Sequence, residues 1–158
     1  MDIAKLQQFI MQAKRATYTS GGEDKAKVLS SGAKEYTFKK DGFIYIDRYK
    51  GHEEFKGKEE ISKNGKFIWQ MEYTGKVLND KILADDIYIF LRKALNLINV
   101  EKPFRGPKEF CGGEYRYMNI VNGDVEKFFG QEQIYYREEL VYELDYAGGL
   151  FNKPNLTL

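Results

Sequence analysis

The stretch FKGKEEISKNGKFIWQMEYTG, residues 55–75, recurs 73 residues further on as FFGQEQIYYREELVYELDYAG, residues 128–148. Phe55, Gly57, Glu59, Ile61, Tyr73 and Gly75 are matched without a gap by Phe128, Gly130, Glu132, Ile134, Tyr146 and Gly148; Trp69 and Met71 are answered by Tyr142 and Leu144. Side chains on a strand alternate between its two faces. Phe55, Gly57, Glu59 and Ile61 therefore share one side, and Lys56, Lys58, Glu60 and Ser62 the other. The first side is apolar apart from Glu59, so that carboxylate points inward. Asn64-Gly65 is a two-residue hairpin signal, beyond which Phe67, Trp69, Met71 and Tyr73 continue the apolar side. In the second copy Phe128, Gly130, Glu132, Ile134 and Tyr136 line one side. Leu140, Tyr142, Leu144 and Tyr146 carry it across a turn at residues 137–139. Each copy directs one carboxylate into an aromatic surface.

Working outward from the two copies, Ile3, Leu6, Phe9, Ile10 and Ala13 recur at helical spacing behind a capping Asp2, which predicts a helix over residues 2–16. Residues 17–32 are polar, with Gly21-Gly22 and Ser30-Ser31-Gly32, and read as a connector, a mobile flap being the alternative, with a short extended piece around Val28. A hairpin around Asp41-Gly42 places Phe43, Tyr45, Asp47 and Tyr49 on one side, so Asp47 is a further acid in an aromatic row. Leu83, Ile87, Phe90, Leu91, Ala94, Leu95 and Ile98 form a helical stripe within residues 80–99, where FLRKA echoes the FIMQA of the first helix. The prolines of PFRGP, residues 103–107, make a stiff connector. Tyr115, Tyr117 and Asn119 alternate in a strand that turns at Asn122-Gly123, and residues 152–158 read as a tail. The expected fold is α+β and a single domain over residues 1–158. It would be built as two tandem repeats, about 1–79 and 80–151, each one helix followed by antiparallel strands. Together they would form a curved antiparallel sheet with two helices packed on it.

Twenty-five basic and 24 acidic residues are intermixed and leave a net charge of +1, so no phosphate-tracking field is built and a nucleic-acid partner is not expected. Cys111 is the only cysteine, which excludes an internal disulfide and agrees with a reducing compartment; it reads as a small buried residue. His52, the only histidine, reads as a surface residue in a charged loop. One His and one Cys cannot build a Cys/His zinc site or a Ser-His-Asp triad, and no phosphate loop is present. No catalytic residue, metal or cofactor is assigned. No run of about 18 apolar residues and no signal-peptide pattern occurs, so a soluble cytoplasmic protein without membrane contact is expected.

Several short motifs lie along the chain. They are AKRATY at residues 13–18, YIDRYKG at 45–51, FKGKE at 55–59, WQMEYTG at 69–75, PFRGP at 103–107, FFGQE at 128–132 and YELDYAG at 142–148. Together they resemble a family of uncharacterised bacterial domains marked by FxGxE and WxMxYxG. Members of that family stand alone or follow a helix-turn-helix at the C-terminal end of regulators. The resemblance implies a sensing role and brings no catalytic residues with it. Glu72 stands where the family pattern has asparagine.

Tyr45, Tyr49, Tyr73, Tyr115, Tyr117, Tyr142 and Tyr146 all fall on the inward side. A buried hydroxyl without a partner costs about 1–3 kcal/mol, so this many of them suggest a wet cavity rather than a dry core. An inward carboxylate also demands a partner, from the protein or from a ligand. The expectation is a pocket between the two repeats that holds a small aromatic or cationic molecule. Its ligand-binding residues would be Glu59, Glu132, Trp69, Tyr73, Tyr142, Tyr146, Asp47 and Arg105. A structural use of the glutamates, bonded to tyrosine hydroxyls or to an arginine such as Arg105, is the competing reading. Two other functions are carried as alternatives: a protein-interaction domain using a strand edge, and a carboxylate-based hydrolase. A homo-oligomer is compatible with the sequence.

Overall fold

Alternating apolar and charged residues set the strands of the computed structural model, which describes residues 1–21 and 26–151. They are β1 (Lys27–Val28), β2 (Lys34–Lys40), β3 (Phe43–Gly51), β4 (Glu54–Lys63), β5 (Lys66–Val77), β6 (Glu109–Gly112), β7 (Tyr115–Asp124), β8 (Lys127–Tyr136) and β9 (Glu139–Leu150). All belong to one antiparallel sheet in the order β1-β2-β3-β4-β5-β9-β8-β7-β6. Two meanders, β1 to β5 and β6 to β9, thus meet edge to edge along β5 and β9. Asp41-Gly42 and Asn64-Gly65 turn their hairpins with positive φ at both residues, the geometry that matches strand twist.

Three helices complete the described residues: α1 (Ile3–Ala16), α2 (Tyr18–Gly21) and α3 (Ala84–Leu95). Asp2 caps α1 by accepting from the Lys5 amide, and the stripe of Leu6, Phe9, Ile10 and Ala13 is buried. Phe9 stacks on Phe43 with ring centres 4.7 Å apart, seating α1 on the β2–β3 end of the sheet. Phe90 stacks on Tyr115 at 4.9 Å and on Phe110 at 5.4 Å, seating α3 on the opposite end. The helices cover the face that carries Tyr45, Glu59, Tyr73 and Glu132; Arg48, Lys56, Glu72, Thr74, Ile120 and Phe129 remain exposed on the other face.

The recurring FxGxE and YxG motifs are explained by cross-strand register. Gly57 lies opposite Tyr73 and Gly75 opposite Phe55; in the second meander Gly130 lies opposite Tyr146 and Gly148 opposite Phe128. Each aromatic ring lies over the neighbouring glycine. A Cβ at Gly57 would stand 2.3 Å from the Tyr73 hydroxyl, and one at Gly130 would stand 2.4 Å from the Tyr146 ring. At the seam Tyr73 pairs with Tyr146, its own counterpart in the second copy.

Two tandem repeats of one helix followed by strands are not what forms. The structure is one nine-stranded antiparallel sheet with helices on it, and the recurrence belongs to the strands. Helix α3 does not serve the second meander as α1 serves the first, because Tyr88 reaches back to Phe55 and to the His52 carbonyl of the first meander. An apolar helical stripe shows that one face is buried without saying against which strand. Helix α3 is also shorter than the residues 80–99 expected for it. The strand after Asn119 runs on through Asn122-Gly123, and the turn falls at Val125-Glu126. Cys111 is exposed rather than buried: Phe110 takes the inward place against Phe90, so the next residue on edge strand β6 faces out. Part of the expected connector, residues 22–25, and the expected tail, residues 152–158, lie outside the described residues. None of the described helices is long and apolar enough to cross a membrane.

Candidate functional site

A cavity of about 60 Å³ lies between the helices and the first meander. Its floor is laid by alternate residues of three adjacent strands: Tyr45, Asp47 and Tyr49 from β3, Glu59 from β4 and Tyr73 from β5. Register sets Asp47 directly opposite Glu59, two acids side by side on a buried face. Like charges in that position destabilise a sheet, so something must meet them. Helix α1 supplies Lys14, one turn beyond Ile10 on the buried stripe, with its ammonium 3.0 Å from Glu59 Oε1. Its hydrogen bonds go to Glu59 Oε2, at 3.3 Å, to Met71 Sδ, at 4.0 Å, and to the Phe104 carbonyl, and Tyr45 also hydrogen-bonds to Glu59. Burial lowers the Lys14 pKa, and the Glu59 charge opposes that shift.

Asp47 accepts a 2.6 Å hydrogen bond from the Tyr73 hydroxyl. Burial, and then the neighbouring Glu59 charge, raise its pKa from 3.8 to about 7, while the Tyr73 hydrogen bond and Lys14 pull the other way. Burial and the two carboxylates push the Tyr45 and Tyr73 phenols well above their ordinary value. The walls are aromatic and aliphatic, with Phe55, Tyr88, Leu91, Leu95, Ile98 and Phe104 contributing. His52, half exposed and held 3.2 Å from Asp85, marks the mouth.

The second meander carries the same plan in a closed form. Glu132, fully buried, receives a forked pair of bonds from Arg105: Nε to Oε2 at 3.0 Å and Nη2 to Oε1 at 2.7 Å. Tyr117 donates to Oε2 and Tyr142 to Oε1, the latter at 2.7 Å. Burial works against the Arg105 charge, but Glu132 and the tyrosines outweigh it and the guanidinium pKa is raised well above its ordinary value. Opposite Glu132 stands Asn119, which accepts from Tyr146 at 2.7 Å as Asp47 accepts from Tyr73. Asn119 also donates to the Gly106 carbonyl at 2.9 Å. The place held by a neutral amide in the second meander is thus held by an acid in the first. With Asp47 ionised, three carboxylates (Asp47, Glu59, Glu132) face two cations (Lys14, Arg105).

A family model described as a domain of unknown function, DUF5680, matches residues 47–151. The chain belongs to this family. No curated protein and no solved structure matches it. The DUF5680 match opens at Asp47 and takes in Glu59, Tyr73, Arg105 and Glu132, with Lys14 lying ahead of it.

Of the eight residues expected to bind a ligand, this DUF5680 domain gathers Asp47, Glu59, Tyr73 and Arg105 around the cavity. Glu132, Trp69, Tyr142 and Tyr146 are buried beside it and do not line it. Trp69 stacks on Phe128 at 5.7 Å and donates to the Val125 carbonyl at 3.1 Å, a core role. The two glutamates therefore do not share one pocket between halves, because Arg105 and two tyrosines seal Glu132. Lys14, Thr17, Tyr88 and Phe104 line the cavity without having been among the ligand-binding residues expected from the sequence. For Lys14 a signal existed: it stands four residues after Ile10 and eight after Leu6, on the stripe of an otherwise apolar helix face. Among the described residues no three His, Cys, Asp or Glu side chains come together as a metal site.

Proposed function

We propose that this domain is a small-molecule-binding, sensor-like module whose site is the cavity between α1, α3 and the first meander. The observation that carries the reading is the unequal treatment of two related acids. Glu132 is met by a forked guanidinium and two tyrosine hydroxyls, whereas Glu59 has one ammonium and one tyrosine, Asp47 has one tyrosine and no paired cation among the described residues, and both line open space. A sheet that needed its acids only as struts would satisfy both alike. Buried carboxyl groups lining an aromatic pocket are the usual makings of a binding site. The resemblance to domains carried by regulators supports a sensing role over a structural one. Fragment screening of the full chain, followed by amide chemical-shift mapping, tests the reading. Binders should perturb Thr17, His52 and Tyr88 at the cavity. A screen whose hits map only to the exposed face of the sheet would remove it.

A carboxylate acid–base enzyme is the second reading, favoured by the pairing of Asp47, with its pKa raised to about 7, beside Glu59. Against it, Glu59 is bound to Lys14 and is not free to act as nucleophile or base. Turnover of aryl glycosides or esters that survives in Asp47→Asn would exclude Asp47 from that role.

A further inference from the structure

The ligand class follows from what the cavity lacks, on the basis of the binding role proposed above. Asp47 is 6% exposed and Glu59 is 3% exposed; both line the cavity, and Glu59 already has the Lys14 ammonium 3.0 Å from its Oε1 and a hydrogen bond with Tyr45. The groups facing Asp47 from each packed element are Tyr45 and Tyr49 on its own strand, Tyr36 directly opposite on β2, Glu59 on β4, Tyr73 on β5, Lys14 on α1 and Arg105 in the PFRGP loop, with His52 at the mouth. Arg105 is committed to Glu132 and Lys14 to Glu59, so no cation of the described chain is assigned to Asp47. The cavity's 60 Å³ is well below the roughly 150 Å³ that lodges a benzene ring. It therefore takes a head group rather than a whole ring. Beyond it the walls toward His52 are apolar, with Phe55, Tyr88, Leu91 and Leu95.

We infer that the cavity binds a monocation with a small ammonium or guanidinium head and an apolar tail. The head donates to Asp47, takes the place of a proton there, and sends its tail past Tyr88 toward His52, with the Glu59–Lys14 pair beside it. The carboxyl proton of Asp47 leaves to solvent as the cation enters, so charge in the site is conserved. Because the Asp47 pKa stands at about 7, affinity should rise about tenfold per pH unit below that value and level off above it.

Matched probes test this on the full chain: butylammonium, butanol and butyrate, each titrated by NMR and by calorimetry at constant ionic strength set with potassium chloride. Butylammonium should bind with millimolar affinity, the range for so small a probe, and shift the amides around Asp47, Glu59 and Tyr88. Calorimetry at pH 6 in buffers of different ionisation enthalpy should count about one proton released per ligand bound. Asp47→Asn, which copies the Asn119 arrangement and so keeps the fold, should lose at least tenfold in affinity and release no proton. Butanol or butyrate binding as tightly as butylammonium would overturn the cation assignment and leave the binding role standing. A response to butylammonium that potassium chloride reproduces would also overturn it. If no probe binds while a neutral or anionic fragment maps to the cavity, only the cation falls. If nothing maps there, both fall.

Discussion

Asp47 and Asn119 accept the same kind of bond, from Tyr73 and Tyr146, at corresponding places in the two meanders, yet only one of them can ionise. The folded chain holds the Asp47 proton up to about pH 7, whereas the unfolded chain releases it near the ordinary value of 3.8. Between these values the native state binds the extra proton, so stability falls as pH rises through that window and the loss is complete above it. Asp47→Asn removes the dependence. Its stability advantage over the parent should grow by on the order of 2–3 kcal/mol between pH 5 and pH 8, read from urea unfolding at each pH. A constant difference across that range would show that Asp47 does not titrate as described. Neutralising Glu132 should instead destabilise the fold. Glu132→Gln leaves the Arg105 guanidinium buried opposite a neutral amide and should cost about 3–5 kcal/mol. Adding Arg105→Met to that variant should recover part of the loss, because the stranded charge is then gone.

At the scale of single strands, the FxGxE and YxG motifs are a steric device. Tyr73 can reach Asp47, and Tyr146 can reach Asn119, because the hydroxyl ends of their rings occupy the space that a Cβ at Gly57 or Gly130 would take. Gly57→Ala puts a methyl group into the space of the Tyr73 ring and should cost about 1–3 kcal/mol by overpacking. It should also displace the Tyr73 hydroxyl from Asp47, a shift visible in the Tyr73 ring resonances; Gly130→Ala should do the same to Tyr146. A neutral outcome at both positions would mean that the rings have room elsewhere. This much was legible in the sequence, since period-two alternation reports which face a residue takes and so placed Tyr73, Glu59 and Asp47 inward. What alternation cannot report is the partner across the fold. Lys14 lies 45 residues from Glu59, and Arg105 lies 27 from Glu132. The first cation comes from a helix and the second from a loop, so the halves look alike along the strands and differ where they are neutralised.

Across the whole molecule, the same asymmetry explains why a recurring strand pattern did not produce two recurring domains. Trp69 of the first meander bonds to Val125 and stacks on Phe128 of the second. Lys14 of α1 bonds to Phe104, and Arg105, beside it in the loop, crosses to Glu132. Helix α3 follows the first meander in sequence, yet it lines the cavity with Tyr88, Leu91 and Leu95 while packing Phe90 against the second. Separating the chain at residue 79 would open β5 along its full edge with β9, remove the cavity's α3 wall and leave Trp69 Nε1 without its acceptor. An exposed strand edge of that length is itself prone to association. A fragment of residues 1–79 should therefore show no cooperative thermal transition and little near-ultraviolet dichroism from Trp69. The 80–151 fragment, left with the Arg105–Glu132 pair but without Lys14, should fare no better. Mixing the two should restore both signals through the β5–β9 seam. A cooperatively folded 1–79 fragment would mean that the first meander closes its own core and that the seam joins two independent units.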